Sequence, residues 1–319
     1  MRRTTTLTTA GLLGLALLAP TAWASPATAA AETCQGVPAT VVGTPEGHVV
    51  GTPGDDVIVS GGAWSVESGD GDDLVCIPPM EGDLLGNVVE VEAGAGDDTV
   101  VSEGDRNNSW VTLGPGVDTF RGGGWEDRVE AGFEDTVVAD RGDDLVTYSI
   151  RPGEALPGTV GTMVADRSSG WIKVTAPGRR VAINGKAGEI RVDGHVVTTF
   201  GISPRMLWGV GRNVTLIGTS GRDRLVTTAC GPSAVLGRGG NDEILRLGWD
   251  SPPLDQCPRS RMRADGGPGN DRITGTASDD ILRGGGGNDW IKGRRGTDFT
   301  IGGPGRDVCR AERERACER

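Results

Sequence analysis

The chain has 319 residues, of which 44 are acidic and 32 are basic, so its formal net charge is −12 at pH 7. This negative charge argues against nucleic acid or an anionic membrane surface as a partner, because both attract clustered Lys and Arg, and it favours a cation. Glycine contributes 54 residues and aromatic side chains only 4%, which excludes one large conventional apolar core. The fold therefore depends on whether the glycines are periodic.

The first residues have the pattern of a secretory signal peptide. Arg2 and Arg3 precede an apolar stretch over residues 10–19, and a small-residue cleavage site follows at 22–24. The apolar stretch is shorter than the ~20 residues that a membrane-spanning helix needs. We predict a signal peptide over residues 1–24, no membrane insertion elsewhere, and a secreted, extracellular mature protein.

Residues 34–147 contain degenerate copies of a nine-residue unit that has Asp at place six and glycine at place four. The copies GTPGDDVIV, SGDGDDLVC and AGAGDDTVV have Asp56, Asp73 and Asp98 at place six, and LGPGVDTFR and ADRGDDLVT follow the same pattern. The step from Asp56 to Asp73 is one residue shorter than two units. Asp and Gly are common in turns of any kind, so these turns fit calcium sites and metal-free solvated turns equally well.

Residues 148–217 lack the repeat. Short apolar alternations there, separated by Gly or Pro, predict β-strands and no long amphipathic helix. The segment either continues the repeat architecture with irregular coils or forms a small β insert. The sequence leaves both alternatives open.

The repeat is clearest within residues 218–310. From Gly266 to Arg310 the chain divides without a gap into GGPGNDRIT, GTASDDILR, GGGGNDWIK, GRRGTDFTI and GGPGRDVCR. The place-six residues of these units are Asp271, Asp280, Asp289, Asp298 and Asp307. Two earlier units contribute Asp223 and Asp242, separated by one residue too many. Residues 311–319 are charged and are predicted to cap the repeats, whose outermost strand edge would otherwise be exposed.

These units resemble the hemolysin-type, or RTX, calcium-binding nonapeptide GGxGxDxUx. With the degenerate copies included, the resemblance covers about half of the mature chain. It implies an all-β fold, a parallel β-roll or right-handed β-solenoid, in which each Ca²⁺ lies between turns one coil apart. The place-six Asp and backbone oxygens of both turns would hold the ion.

Elementary geometry leads to the same fold. Glycines at places one, two and four permit positive φ and close approach of neighbouring turns. Places seven to nine form a short strand whose place-eight side chain points inward. Two units make one coil, so Ile273 and Ile291 are predicted to stack in one wall and Leu282 in the opposite wall. Carboxylates stacked at about 4.8 Å would repel one another unless a cation lay between them.

Calcium suits these ligands, because carboxylates and turn carbonyls are hard oxygens in a flexible cage, whereas zinc prefers His or Cys. The strongest predicted sites involve Asp271, Asp289 and Asp307. Asp280 and Asp298 form a weaker row, because Ser278 replaces a turn glycine and the guanidinium of Arg294 or Arg295 could neutralise their carboxylates instead. The full set of predicted metal ligands is Asp56, Asp73, Asp98, Asp223, Asp242, Asp271, Asp280, Asp289, Asp298 and Asp307.

Six cysteines on an exported chain predict disulfides rather than metal thiolates. Sequence order suggests Cys34 with Cys76, Cys230 with Cys257 and Cys309 with Cys317, although order alone does not decide the pairing.

Three functions remain open. The chain contains no HExxH or GxSxG motif, so we predict a calcium-binding protein that is not an enzyme. The alternatives are an extracellular polysaccharide-active enzyme, such as a lyase or epimerase, and an adhesin with a glycan or cell-surface partner.

Overall fold

A computed structural model describes residues 32–79, 88–104, 107–151, 153–165, 170–201, 203–247 and 260–318. These residues form strands and turns and contain no helix, and so no helix that could span a membrane. The predicted signal peptide and Cys257 lie outside the described residues. The predicted all-β class is therefore confirmed for the described part of the chain.

The strands in the first half of the chain are β1 (Thr33–Cys34), β2 (Val37–Pro38), β3 (Val41–Val42), β4 (His48–Val50), β5 (Val57–Val59), β6 (Ser65–Glu67), β7 (Leu74–Ile77), β8 (Val88–Glu92), β9 (Thr99–Ser102), β10 (Asn108–Thr112), β11 (Thr119–Arg121), β12 (Arg128–Ala131), β13 (Thr136–Ala139), β14 (Leu145–Ser149) and β15 (Gly161–Ala165). The strands that follow are β16 (Trp171–Asn184), β17 (Glu189–Val192), β18 (His195–Phe200), β19 (Met206–Ile217), β20 (Arg224–Ala229), β21 (Ser233–Leu236), β22 (Glu243–Arg246), β23 (Met262–Pro268), β24 (Arg272–Thr274), β25 (Ile281–Gly286), β26 (Trp290–Lys292), β27 (Phe299–Ile301), β28 (Val308–Arg310) and β29 (Arg313–Arg315).

Most strands pair in parallel with the strand two positions along the chain, and this connectivity is that of a β-roll. Two walls result. The first wall contains β5, β7, β9, β11 and β13 and later β21, β23, β25 and β27; the second contains β6, β8, β10, β12 and β14 and later β20, β22, β24, β26 and β28. The short β1 and β2 pair antiparallel outside the walls. The predicted parallel β-roll is confirmed.

Alternation of side chains along the strands builds the core between the walls. In the second wall Ile273 pairs with Ile291, and in the first wall Leu282 lies opposite Thr300 of the next coil. All four side chains are fully buried, while Arg272 and Trp290, one residue earlier, face outward. Because every second residue points inward, three-residue strands suffice to bury one apolar side chain per wall in each coil.

The segment without repeats continues both walls. β16 and β19 are long enough to cross from the second wall into the first, and they pair in parallel with each other along both parts. In the first wall β17 and β18 form an antiparallel hairpin between β15 and the second part of β16. The core runs through this region without a break, with Ile172, Ile183 and Leu207 fully buried.

The turn glycines have two different roles. At places two and four the backbone has positive φ, as at Gly285 (+118°) and Gly287 (+132°). The glycine at place one has no positive φ; a Cβ at Gly284 would instead lie 2.1 Å from Oδ2 of Asp289. At Gly284 place one therefore needs glycine for close approach, whereas places two and four favour glycine for backbone conformation as well.

Disulfides join Cys34 to Cys76 and Cys309 to Cys317. Both pairs agree with the pairing that sequence order suggested. Cys230 is also disulfide-bonded.

The turn geometry makes the two glycines at 286 and 287 a matched pair. A Cβ at Gly287 would lie 2.0 Å from the carbonyl oxygen of Gly269, whereas a Cβ at Gly286 would meet no atom within 4 Å. We expect Gly287→Ala to lower the free energy of unfolding by about 1–3 kcal/mol. Gly286→Ala should change it by no more than about 0.5 kcal/mol. Urea denaturation of both variants in calcium-containing buffer measures the difference, and equal effects would contradict the described turn.

Candidate metal centre

The place-six aspartates stand in rows, one residue per coil, immediately before the strands. The first-wall rows contain Asp56, Asp73, Asp98, Asp118 and Asp135, and later Asp280 and Asp298. The second-wall rows contain Asp127 and Asp144, and later Asp223, Asp242, Asp271, Asp289 and Asp307. All ten predicted ligand residues belong to these rows.

A hydrogen bond links each aspartate to the next coil. The backbone N–H of Asp271 donates to Oδ1 of Asp289 at 2.8 Å, and the N–H of Asp289 donates to Oδ1 of Asp307 at 2.9 Å. Hydrogen bonds to an ionised acceptor are stronger than neutral ones. One oxygen of most of these carboxylates therefore contributes to holding the coils together, a role that sequence reasoning missed.

The rows tolerate coils of different length. Asp56 and Asp73 are 17 residues apart and Asp223 and Asp242 are 19 apart, yet each pair makes the same bond as the regular 18-residue step. Asp242 and Asp271 are 29 residues apart, and the N–H of Asp242 still donates to Oδ1 of Asp271. The irregular spacings noted in the sequence are thus absorbed between the turns and do not displace the carboxylates.

The second carboxylate oxygen divides the turns into two classes. In the open turns, Oδ2 is buried without a hydrogen-bond partner and the residue is at most 2% exposed. The open-turn residues are Asp73, Asp98, Asp118, Asp144, Asp242, Asp271, Asp289, Asp298 and Asp307. Burying a carboxylate oxygen without a partner is costly, so an open turn is a place where a ligand would relieve that cost.

In the closed turns the protein itself satisfies Oδ2. The N–H of Thr276 donates to Oδ2 of Asp280 at 2.5 Å, and the Thr276 hydroxyl donates to Oδ1. Thr52 and Thr219 bind the carboxylates of Asp56 and Asp223 in the same way. Each of these threonines occupies place two of its unit, so a Thr at place two is one sequence signal of a closed turn.

Backbone conformation explains the signal. A positive φ at place two turns the N–H away from the carboxylate; the N–H of Gly285, for example, donates to the Gly302 carbonyl of the next coil. Even Arg238 and Arg294 adopt positive φ at place two, and the turns of Asp242 and Asp298 are open. Asp144 is an exception, because place two of its unit has no positive φ.

Two open-turn residues were missing from the sequence prediction. Asp118 and Asp144 occupy place six of LGPGVDTFR and ADRGDDLVT, so the repeat itself was the signal that identifies them. Asp127 and Asp135 also belong to the rows, but their Oδ2 atoms accept the N–H groups of Gly123 and Gly132.

Burial changes the acidity of the rows. Burial, together with the neighbouring carboxylates of the row, raises the pKa of Asp271 to about 6 and that of Asp242 to about 7. Burial also raises the pKa of Asp289 and Asp298. In contrast, the N–H of Thr52 lowers the pKa of Asp56. Burial also raises the pKa of the closed-turn Asp280 to about 6, so carboxylates of both turn classes hold their negative charge at an energetic cost near neutral pH.

The ion pairs do not support the alternative that an arginine, rather than calcium, neutralises Asp280 and Asp298. Within the described residues, neither Arg294 nor Arg295 forms an ion pair with Asp280 or Asp298. In addition, no group of three or more His, Cys, Asp or Glu side chains among the described residues converges on one metal position. Any metal would therefore need backbone carbonyls beside the aspartates.

The geometry defines a class of protein: a parallel β-roll whose turns carry rows of buried carboxylates between stacked coils. The family comparison agrees with that class. Residues 265–300 and 274–309 match the model of the RTX calcium-binding nonapeptide repeat (4 copies). The chain thus carries RTX calcium-binding repeats, and the resemblance stated from the sequence is confirmed for these residues. No curated protein matches the chain.

The raised pKa values predict how stability depends on pH without metal. Asp118, Asp144 and Asp242 have a pKa of about 7, and Asp98 and Asp271 of about 6, all above the ordinary value of 3.8. A group whose pKa is raised on folding contributes to the stability of the folded protein. That contribution is complete at pH values below the pKa of the unfolded state, and it is lost as the pH rises through the pKa of the folded state.

The metal-free protein should therefore lose thermal stability between about pH 4 and pH 7. Scanning calorimetry of metal-stripped protein at a series of pH values measures this loss. A thermal midpoint that rises steadily over the same interval would contradict the burial of ionisable carboxylates in the turns.

Proposed function

We propose that the protein is a secreted calcium-binding protein in which Ca²⁺ lies between successive open turns and stabilises the β-roll. The observation that carries the proposal is the set of buried Oδ2 atoms without hydrogen-bond partners. In each of these carboxylates the other oxygen, Oδ1, already accepts an N–H of the neighbouring coil. A dication beside that oxygen removes both the desolvation cost and the repulsion along the row.

The donor set favours calcium over other metals. Carboxylate and carbonyl oxygens are hard ligands, and turns of this kind offer several within a flexible arrangement, as Ca²⁺ requires. Zinc would require His or Cys ligands. His48 is exposed and bonds to the Ser65 hydroxyl instead. The ligands that the turns offer are therefore oxygen atoms.

The turn classes refine the ligand set. Among the predicted residues, the open turns support calcium binding by Asp73, Asp98, Asp242, Asp271, Asp289, Asp298 and Asp307. The closed turns of Asp56, Asp223 and Asp280 already satisfy their carboxylates, so we propose that they contribute little. Affinity should be on the order of 10⁻⁴ to 10⁻³ M, the range of extracellular calcium modules.

Secretion and the absence of catalysis are part of the proposal. The signal-peptide pattern and the disulfides support an oxidising, extracellular location. The rows of carboxylates have a structural explanation in the repeat, so they give no reason to infer paired catalytic acids. The proposed role of the ion is therefore to stabilise the fold.

Asp289→Asn and Asp280→Asn form a matched pair that tests the open-turn assignment. Each removes one carboxylate charge, and the amide oxygen of Asn can still accept the N–H of the neighbouring coil. We expect Asp289→Asn to weaken the calcium-dependent rise in thermal midpoint, because its Oδ2 belongs to an open turn, whereas Asp280→Asn should retain most of it. Thermal unfolding monitored by circular dichroism with and without calcium measures the rise.

Equal losses in the two variants would contradict the distinction between open and closed turns. No rise with calcium in the wild-type protein would contradict the proposed function itself.

A second candidate function is glycan binding by the outer face of the second wall. Trp110 and Arg128 are neighbours there, with the guanidinium 4.9 Å from the ring centroid, and the Lys173 ammonium lies 4.4 Å from the Trp208 ring. Trp171 stands in the same outward-facing column as Arg128 and is 37% exposed. We name these five residues the tryptophan patch.

Flat aromatic faces beside cationic groups suit an acidic sugar polymer, because the rings offer apolar contact area and the cations pair with carboxylates. This candidate is independent of the calcium sites, which lie in the turns. It is compatible with the calcium-stabilised scaffold rather than an alternative to it.

Affinity electrophoresis in gels that contain polygalacturonate or alginate tests the patch. We expect the wild-type protein to be retarded and Trp171→Ala and Lys173→Ala to migrate freely, since each loses a contact with the sugar. Trp64→Ala is the control, because Trp64 is 61% exposed but lies outside the patch. Unretarded wild-type protein would exclude uronate polymers as the ligand.

A further inference from the structure

Residues 311–318, the closing segment, fold back onto the last nonapeptide. β29 pairs in parallel with β27, and Glu318 forms a parallel bridge with Val308 of β28. The Cys309–Cys317 disulfide joins the segment to the repeat. The segment thus occupies the position that a further coil would take, although it lacks the nonapeptide pattern.

Glu318 takes the place of the next aspartate in the second-wall row. The N–H of Asp307 donates to Oε2 of Glu318, as the N–H of Asp289 donates to Oδ1 of Asp307 one coil earlier. The N–H of Glu318 donates to the carbonyl of Asp307 at 2.8 Å, as the N–H of Val308 donates to the carbonyl of Asp289 one coil earlier. The backbone of Glu318 therefore lies at place seven, and its side chain reaches the place-six position. The longer Glu side chain supplies the carboxylate without a six-residue turn.

Ala316 takes the place of the next place-one glycine. The N–H of Gly303 donates to the Ala316 carbonyl at 3.3 Å, as the N–H of Gly285 donates to the Gly302 carbonyl at 2.9 Å. A Cβ at Gly302 would lie 2.1 Å from the Ala316 oxygen, which shows how closely that carbonyl faces the turn. The closing segment therefore reproduces both the carboxylate and the carbonyl of an RTX turn.

A second, independent observation indicates a ligand at this position. Asp307 is fully buried, and its Oδ2 has no hydrogen-bond partner. The same arrangement recurs in the first wall, where the N–H of Asp298 donates to Oε2 of Glu312 at 2.9 Å and Oδ2 of Asp298 is buried without a partner. Both rows thus end in a glutamate that faces an open turn.

We propose that the closing segment completes an additional calcium site, in which Glu318 and the Ala316 carbonyl act with Asp307, and that Glu312 serves Asp298 in the same way. This inference rests on the proposed function, since it extends the same calcium-binding rows by one site at the end of each wall. Its consequence is that calcium fastens the segment that covers the strand edge of the β-roll.

Glu318→Gln tests the site with little structural change, because the Gln carbonyl can still accept the Asp307 N–H. The matched control is Glu314→Gln in the same segment; Glu314 is exposed and bonds only to the N–H of Ala311 among the described contacts. Isothermal titration with calcium chloride should show the weakest class of sites binding about tenfold less tightly in Glu318→Gln and unchanged in Glu314→Gln.

The outcomes separate the two proposals. Calcium binding by the wild-type protein with equal titrations for wild type and Glu318→Gln would overturn the closing site and leave the proposed function intact. Equal weakening in both variants would also overturn it, because a general loss of negative charge would then explain the result. No binding by the wild-type protein would overturn the proposed function, and the closing site with it.

Discussion

Burial of a row of carboxylates between stacked coils is the constraint on which the rest of the structure depends. Most of the aspartates use Oδ1 to accept a backbone N–H of the neighbouring coil, so the row helps to hold adjacent coils together. The same burial leaves Oδ2 of the open turns without a partner and raises the pKa of most of these groups. The fold therefore stores an unfavourable charge arrangement that a divalent cation converts into an attractive one.

The glycine pattern follows from this constraint. Glycine at place one leaves room for Oδ2, and a positive φ at place two directs the backbone N–H to the next coil rather than to the carboxylate. Thr276 shows the opposite solution, in which N–H and hydroxyl satisfy the aspartate internally. Threonine at place two thus satisfies the aspartate of its own turn, whereas a positive φ at place two leaves Oδ2 available to an ion.

Much of the fold could be predicted from the sequence because the period of nine fixes the register directly. The inward positions of Ile273, Ile291 and Leu282 and the stacking of units 18 residues apart follow from that period alone. The continuation of both walls through β16 and β19 could not be predicted, since it depends on long-range strand pairing that no local pattern encodes. The rows were predicted only in part, because Asp118 and Asp144 lie in degenerate units and were left out.

The turn classes lay beyond sequence reasoning for a different reason. Spacing places an aspartate at the turn, but it does not show which oxygen bonds to the neighbouring coil or which way a place-two N–H points. Glu318 is the clearest case, because nothing in its local sequence resembles a nonapeptide and only the folded backbone brings it below Asp307.

Equilibrium dialysis of the wild-type protein against calcium at neutral pH tests the central claim most directly. With calcium at several millimolar, the account predicts several bound ions per chain, displaced by protons as the pH falls below the raised pKa values of the rows. A protein that stays folded under these conditions and retains no calcium would contradict it.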